Sequence, residues 1–87
     1  MTGYTMIQNR IRSLIQLCRV VELNANDEKV QACIAAVALD DSLEVNMQGE
    51  ALLSAFRSQA LPFINALKRT TEFSETMAML REELCNN

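Results

Sequence analysis

A stripe of apolar residues at alternating steps of three and four runs along the first quarter of the chain. Its members are Tyr4, Ile7, Ile11, Leu14, Cys18 and Val21. Steps of three and four return to one face of an α-helix, because the helix makes one turn per 3.6 residues. Ile15 and Leu17 widen this face beyond the seam of a two-stranded coiled coil. The pattern predicts a core helix of a small bundle, with a coiled-coil dimer as the alternative and with Arg10, Arg12 and Arg19 solvating the other side.

Residues that break helices are scarce in this chain. It has 2 glycines and 1 proline in 87 residues, and 49% of its residues are hydrophobic. This composition is too apolar for a disordered chain and too poor in turn residues for many short strands. We therefore expect one all-α domain over residues 1–87 with a small core.

The segment between the first stripe and Asp40 allows two interpretations. Residues 22–30 form a polar break in which Asn26 or Asp27 could cap a following helix. Residues 29–38 are rich in alanine and could form either a short helix or a packed loop with helical turns.

A further helix is signalled at Asp40, Asp41 and Ser42, where Asp41 and Glu44 have the spacing of a capping box. Its apolar positions extend to Phe56, and Pro62 is expected to end or kink it. Thr70 or Thr71 could cap a last helix. The apolar stripe of that helix is Phe73, Met77, Leu80 and Leu84.

Several classes of function are excluded by composition. The chain has no histidine, which removes Ser-His-Asp and Cys-His nucleophile systems and histidine-ligated zinc. We see no metal cluster or phosphate-binding loop, so we expect neither catalytic residues nor a metal site. The net charge of -3 argues against nucleic acid, which requires a basic face.

Membrane and secretory signals are also missing from the sequence. No apolar run approaches the roughly 20 residues of a membrane span, and no basic segment followed by an apolar stretch marks a secretory signal. Cys18, Cys33 and Cys85 show no C-x-x-C spacing, so we expect reduced thiols that fill the core of a cytoplasmic protein.

Acidic residues are concentrated around Ser42. Between Val30 and Phe56 the chain carries no lysine or arginine. Its acids in that stretch are Asp40, Asp41, Glu44 and Glu50. They could be a solvated face that favours a helix start, or they could attract a basic protein partner. Ser42 itself could be a helix cap or a hydroxyl presented for chemistry.

The run Leu39-Asp40-Asp41-Ser42-Leu43 resembles the Leu-Gly-x-Asp-Ser-Leu signature of acyl and peptidyl carrier proteins, although it lacks the glycine and is one residue shorter. The flanks are similar as well. Residues 7–15 look like the first helix of that family, and Leu61-Pro62 and Thr70-Thr71 resemble its later landmarks. The resemblance is loose and covers nearly the whole chain.

The resemblance implies a four-helix bundle of three longer helices and one short helix. It also implies that a phosphopantetheinyl transferase attaches 4′-phosphopantetheine to Ser42, and that the arm carries acyl groups as thioesters between synthase enzymes of fatty-acid or polyketide type. Enzymes would recognise a face around this serine. Its expected members are Asp40, Asp41, Leu43, Glu44, Val45, Met47 and Glu50. Such a carrier is a cytoplasmic monomer and not itself an enzyme.

Two other interpretations remain open from the residues. The chain could be a non-catalytic helical interaction module, such as an adaptor, a chaperone or an inhibitor, and it could be dimeric. It could also be a carrier-like domain that has lost modification and kept only docking.

Overall fold

Helices account for most of the described backbone. The computed structural model describes residues 2–40, 51, 54, 56, 58, 64 and 68–86. Within them lie α1 (Thr2–Val20), α2 (Glu28–Leu39) and α3 (Thr71–Cys85), and no strand occurs in these ranges. The all-α prediction is confirmed at this level, with three helices in the described part of the chain.

The apolar stripe predicted for the first helix lies in the core of this chain. Ile11, Leu14 and Cys18 have no exposed surface, and Ile15 is 2% exposed. α1 packs on both α2 and α3. The stripe is therefore covered by the protein's own helices, which leaves no seam for the coiled-coil alternative at these positions.

The carboxyl end of α1 is closed by a Schellman motif. The Leu23 N–H donates to the Cys18 carbonyl at 2.7 Å, and the Glu22 N–H donates to the Arg19 carbonyl at 3.2 Å. This motif requires a left-handed residue, which is usually glycine. Here that residue is Glu22, with φ 59°. A side chain at a left-handed position costs about 1 kcal/mol or more, because its Cβ crowds the following carbonyl.

Residues 28–39 form a regular helix, which settles the choice between helix and packed loop. Asp27 caps α2, as one of the two predicted candidates, and its Oδ1 accepts a hydrogen bond from the Lys29 N–H at 2.8 Å. The buried side chains of α2 are Ala32, Ile34, Ala35, Ala36, Val37 and Ala38. α2 packs on α1 and α3, and the small alanine side chains allow neighbouring backbones to approach closely.

α3 completes the described core. Thr70 is its N-cap, and the Thr70 Oγ1 accepts from the Phe73 N–H at 3.1 Å. Phe73 and Leu80 of the predicted stripe are buried, and so is Thr76, whose hydroxyl donates to the Glu72 carbonyl at 2.8 Å. Met77 and Leu84 are partly buried against the core.

Phe56 and Ile64 reach the same core from the chain between α2 and α3, with 5% and 7% of their surface exposed. Among the described residues, no helix combines the length and the apolar character needed to cross a membrane.

The left-handed Glu22 generates a stability prediction. Glu22→Gly should raise the free energy of unfolding by about 0.5–1 kcal/mol, since glycine relieves the Cβ crowding but adds entropy to the unfolded chain. Urea unfolding followed by circular dichroism measures the change. Glu22→Ala is the matched control, because it removes the same carboxylate and keeps the Cβ. Equal stability of the glycine and alanine variants would show that Glu22 is not strained.

Candidate functional site

The segment predicted to carry the function is described at its first residue. Asp40 lies within the described residues, and the others lie outside them. Those residues are Asp41, Ser42, Leu43, Glu44, Val45, Met47 and Glu50. The structure describes the backbone immediately before this segment.

Asp40 ends α2 and does not begin the next helix. Its backbone N–H donates to the Val37 carbonyl at 3.2 Å, and its own conformation is extended, with φ -90° and ψ 103°. The predicted helix signal at Asp40, Asp41 and Ser42 thus has its first residue at the end of α2, and its other two residues lie outside the described ones. The capping box of Asp41 and Glu44 stays a prediction.

Arg10 holds the carboxyl end of α2. Its Nη1 donates to the Ala38 carbonyl at 3.0 Å, and its Nη2 donates to the Asp40 carbonyl at 2.9 Å. Carbonyls at a helix end lack partners within the helix and carry partial negative charge, which a guanidinium complements. The planar fork of arginine reaches both oxygens at once. Arg10 thus fixes the backbone two residues before Ser42.

This role of Arg10 differs from the solvating role predicted from the sequence. Arg10 is half-buried and connects α1 to two carbonyls that lie 28 and 30 residues further along the chain. One signal in the sequence points to it. α2 has no basic residue in its last turn, so the negative end of that helix needs a cation from elsewhere.

A second arginine of α1 pairs with α3. Arg12 Nη2 lies 3.0 Å from Glu83 Oε1, and the Glu83 side chain is only 12% exposed. The hydrogen bond and the charge of Glu83 raise the pKa of Arg12. Sequence reasoning missed Glu83, although it lies seven residues after the buried Thr76 and thus on the same helix face. This pair connects α1 to α3 at the edge of the core.

The three cysteines are free thiols in different surroundings. Cys18 is buried, Cys33 is half-buried and Cys85 is exposed. Burial, with a smaller effect from Cys33, raises the pKa of Cys18 to about 11, and burial also raises the pKa of Cys33. Thiols of raised pKa stay protonated at neutral pH and are poor nucleophiles. The core-filling prediction is confirmed for Cys18 and is wrong for Cys85.

Metal binding has no support in the part of the chain that the structure describes. No three His, Cys, Asp or Glu side chains converge there to hold an ion.

In comparisons with known proteins, no family model, no curated protein and no solved structure matches this chain.

The bridge from Arg10 to α2 can be tested by substitution. Arg10→Gln should lower the free energy of unfolding by about 1–3 kcal/mol, because two helix-end carbonyls lose a charged donor. Arg10→Lys should recover only part of the loss, since an ammonium lacks the fork. Urea unfolding measures stability, and hydrogen exchange at the Asp40 amide measures local opening. Arg19→Gln, at an exposed position of the same helix, should change stability by less than about 0.5 kcal/mol. An Arg10→Gln variant as stable as Arg19→Gln would contradict the bridge.

The buried thiols predict a loss of stability at alkaline pH. The pKa of Cys18 is raised from 9.0 to about 11 in the folded chain. Between these values the unfolded thiol ionises while the folded thiol keeps its proton, so the free energy of unfolding falls as pH rises. Urea titrations at several pH values across this range measure the slope. Cys18→Ala should make the decline shallower, whereas Cys85→Ala, which removes an exposed thiol, should not. Equal slopes for the two variants would refute this.

Proposed function

We propose that the protein is a carrier that holds acyl groups as thioesters on a 4′-phosphopantetheine arm attached to Ser42. One observation carries the proposal: the serine of the carrier-like run at residues 39–43 follows a helix end that Arg10 fixes at two carbonyls. α2 ends at Leu39, and Asp40 is extended. This supports a hydroxyl that a modifying enzyme can reach.

The chemistry at Ser42 requires little from this chain. The hydroxyl oxygen would attack the β-phosphorus of coenzyme A, and 3′,5′-adenosine diphosphate would leave. The hydroxyl proton would pass to a base of the transferase, which suits a chain without histidine. Ser42 is thus an acceptor, and the bound arm would supply the thiol that carries the acyl group. The buried Cys18 and Cys33, whose pKa values are raised, are unsuited to that task.

The acidic residues after α2 would recruit the enzymes. Asp41 would help to bind the metal or the basic residues of the transferase, and Glu44 and Glu50 would face the acyl-processing enzymes. Complementary charge increases the rate of encounter between such partners. The hydrogen bond from Arg10 to the Asp40 carbonyl supports this role, because it fixes the backbone from which the acidic segment would be presented.

The four-helix bundle of three longer helices and one short helix is part of the same proposal. A carrier bundle needs a helical element between α2 and α3, and the buried Phe56 and Ile64 support one that packs on the described core. We also propose that the protein is a cytoplasmic monomer, which agrees with three free cysteines and with the burial of the α1 stripe inside one chain.

One observation favours a second candidate, a non-catalytic helical interaction module. In the carrier resemblance the serine begins the second long helix. Here the regular helix α2, 12 residues long, already separates α1 from the serine. This extra helix is a departure from the carrier pattern, and it would be unremarkable in an adaptor, a chaperone or an inhibitor.

Transfer of the arm tests the primary proposal. Incubation with coenzyme A, Mg²⁺ and a broad-specificity phosphopantetheinyl transferase should add the mass of one arm, as seen by intact-protein mass spectrometry. Ser42→Ala should abolish the increase. Ser74→Ala, at an exposed position of α3, is the matched control and should be modified like the unaltered chain.

The opposite result is equally informative. An unmodified chain, under conditions in which an established acyl carrier protein is fully modified, would overturn the carrier proposal. Sedimentation that then reveals a dimer whose population grows with protein concentration would support the interaction module.

A further inference from the structure

A groove of about 710 Å³ runs between the first turns of α2 and the outer side of α3. Ala32, Ile64 and Phe73 form its floor, each with less than a tenth of its surface exposed. The partly buried Met77 adds apolar surface beside them. The groove lies apart from the Arg10 bridge, and nothing in the carrier proposal uses it.

The rim of the groove is cationic. Lys29, Lys68 and Arg81 line it from three parts of the chain and are exposed, and Glu28 is the carboxylate that joins them. Among the described residues of the lining, the charges thus sum to +2, whereas the whole chain carries -3. No ion pair links these three cations to other residues that the structure describes. The rim of the groove is thus positively charged on a negatively charged protein. Such a rim over an apolar floor favours selective binding, since it repels basic partners and attracts acidic ones.

We infer that this groove binds an acidic amphipathic helix of a partner protein. On α3, Phe73, Met77 and Arg81 succeed one another at steps of four along one side of the groove. They span about 12 Å at 1.5 Å per residue, which matches two turns of a helix laid beside them. Apolar residues of the partner at i, i+3 and i+7 would contact Phe73 and Met77. Glutamates or aspartates flanking that stripe would pair with Lys29, Lys68 and Arg81.

The inference does not depend on the modification of Ser42. A carrier or an interaction module could use the groove equally, because its residues come from α2, α3 and the chain just before α3. The acidic segment around Ser42 would attract basic partners, whereas the groove selects acidic ones. The two surfaces would thus distinguish partners by opposite charge.

The test uses the full chain labelled with ¹⁵N and a synthetic amphipathic helical peptide with a Leu stripe flanked by Glu. Titration should shift the amide signals of Ala32, Phe73 and Met77. Lys68→Glu and Arg81→Glu should each weaken peptide binding about tenfold, and an increase in salt should weaken it further. Arg69→Glu is the matched control, because Arg69 is exposed next to Lys68 but does not line the groove; its effect should be less than twofold. Circular dichroism confirms that each variant is folded.

Four outcomes would overturn the inference. The first is no shift up to millimolar peptide, and the second is equal binding of a peptide in which Lys replaces each Glu. The third is an equal loss for Arg69→Glu and Lys68→Glu. The fourth is a set of shifts at the groove that grows with protein concentration without peptide, which would identify a second copy of this chain as the occupant.

Discussion

The burial of α2 is the constraint on which the rest of the described structure depends. Its buried residues include Ile34, Val37 and four alanines, so this helix has to be covered by α1 and α3. The terminal amides and carbonyls of this helix have no partners within it and need partners elsewhere. Asp27 meets this need at the first end, and Arg10 meets it at the last.

α1 makes polar contacts with both neighbouring helices through two arginines, which lie on either side of Ile11 in the sequence. Arg10 donates to the end of α2, and Arg12 pairs with Glu83 of α3. Positions two apart on a helix are about 200° apart around its axis, so the two guanidiniums leave α1 in nearly opposite directions. Ile11, which is fully buried, lies between them. The polar contacts of Arg10 and Arg12 therefore lie on either side of the buried Ile11, and together they fix the rotation of α1 about its own axis relative to α2 and α3.

Much of this arrangement could be predicted from local patterns. The stripes of α1 and α3 follow helical spacing, and Asp27 and Thr70 stand where caps are expected, because these features depend on neighbours in the sequence. α2 stayed ambiguous, since Ala35, Ala36 and Ala38 have side chains too small to mark a face. The partners of Arg10 and Glu83 were not predicted, because each lies in another part of the chain: the absence of a basic residue in the last turn of α2 indicates that a cation is needed there but not which one.

Of the two candidate surfaces, the sequence predicts the one around Ser42 and does not predict the groove. The carrier-like run predicts Ser42 as the site from residue types alone, and the structure adds that Asp40, two residues before it, ends α2. The groove between α2 and α3 escaped sequence reasoning altogether. Lys29, Lys68 and Arg81 lie far apart in the chain, and only the packing of α2 on α3 gathers them. Charge counted along a sequence therefore reveals a continuous acidic segment, but it does not reveal a cationic groove whose residues come from separate parts of the chain.

The alanines of α2 also limit how this chain can vary. Ala35 and Ala38 have no exposed surface, and extra methylene groups in a tightly packed interior typically cost about 1–3 kcal/mol. Larger residues there would wedge neighbouring helices apart and move the end of α2 away from Arg10. α2 thus acts as a spacer of fixed thickness between its neighbours, and larger residues at its buried alanines would change the position of Asp40 relative to α1.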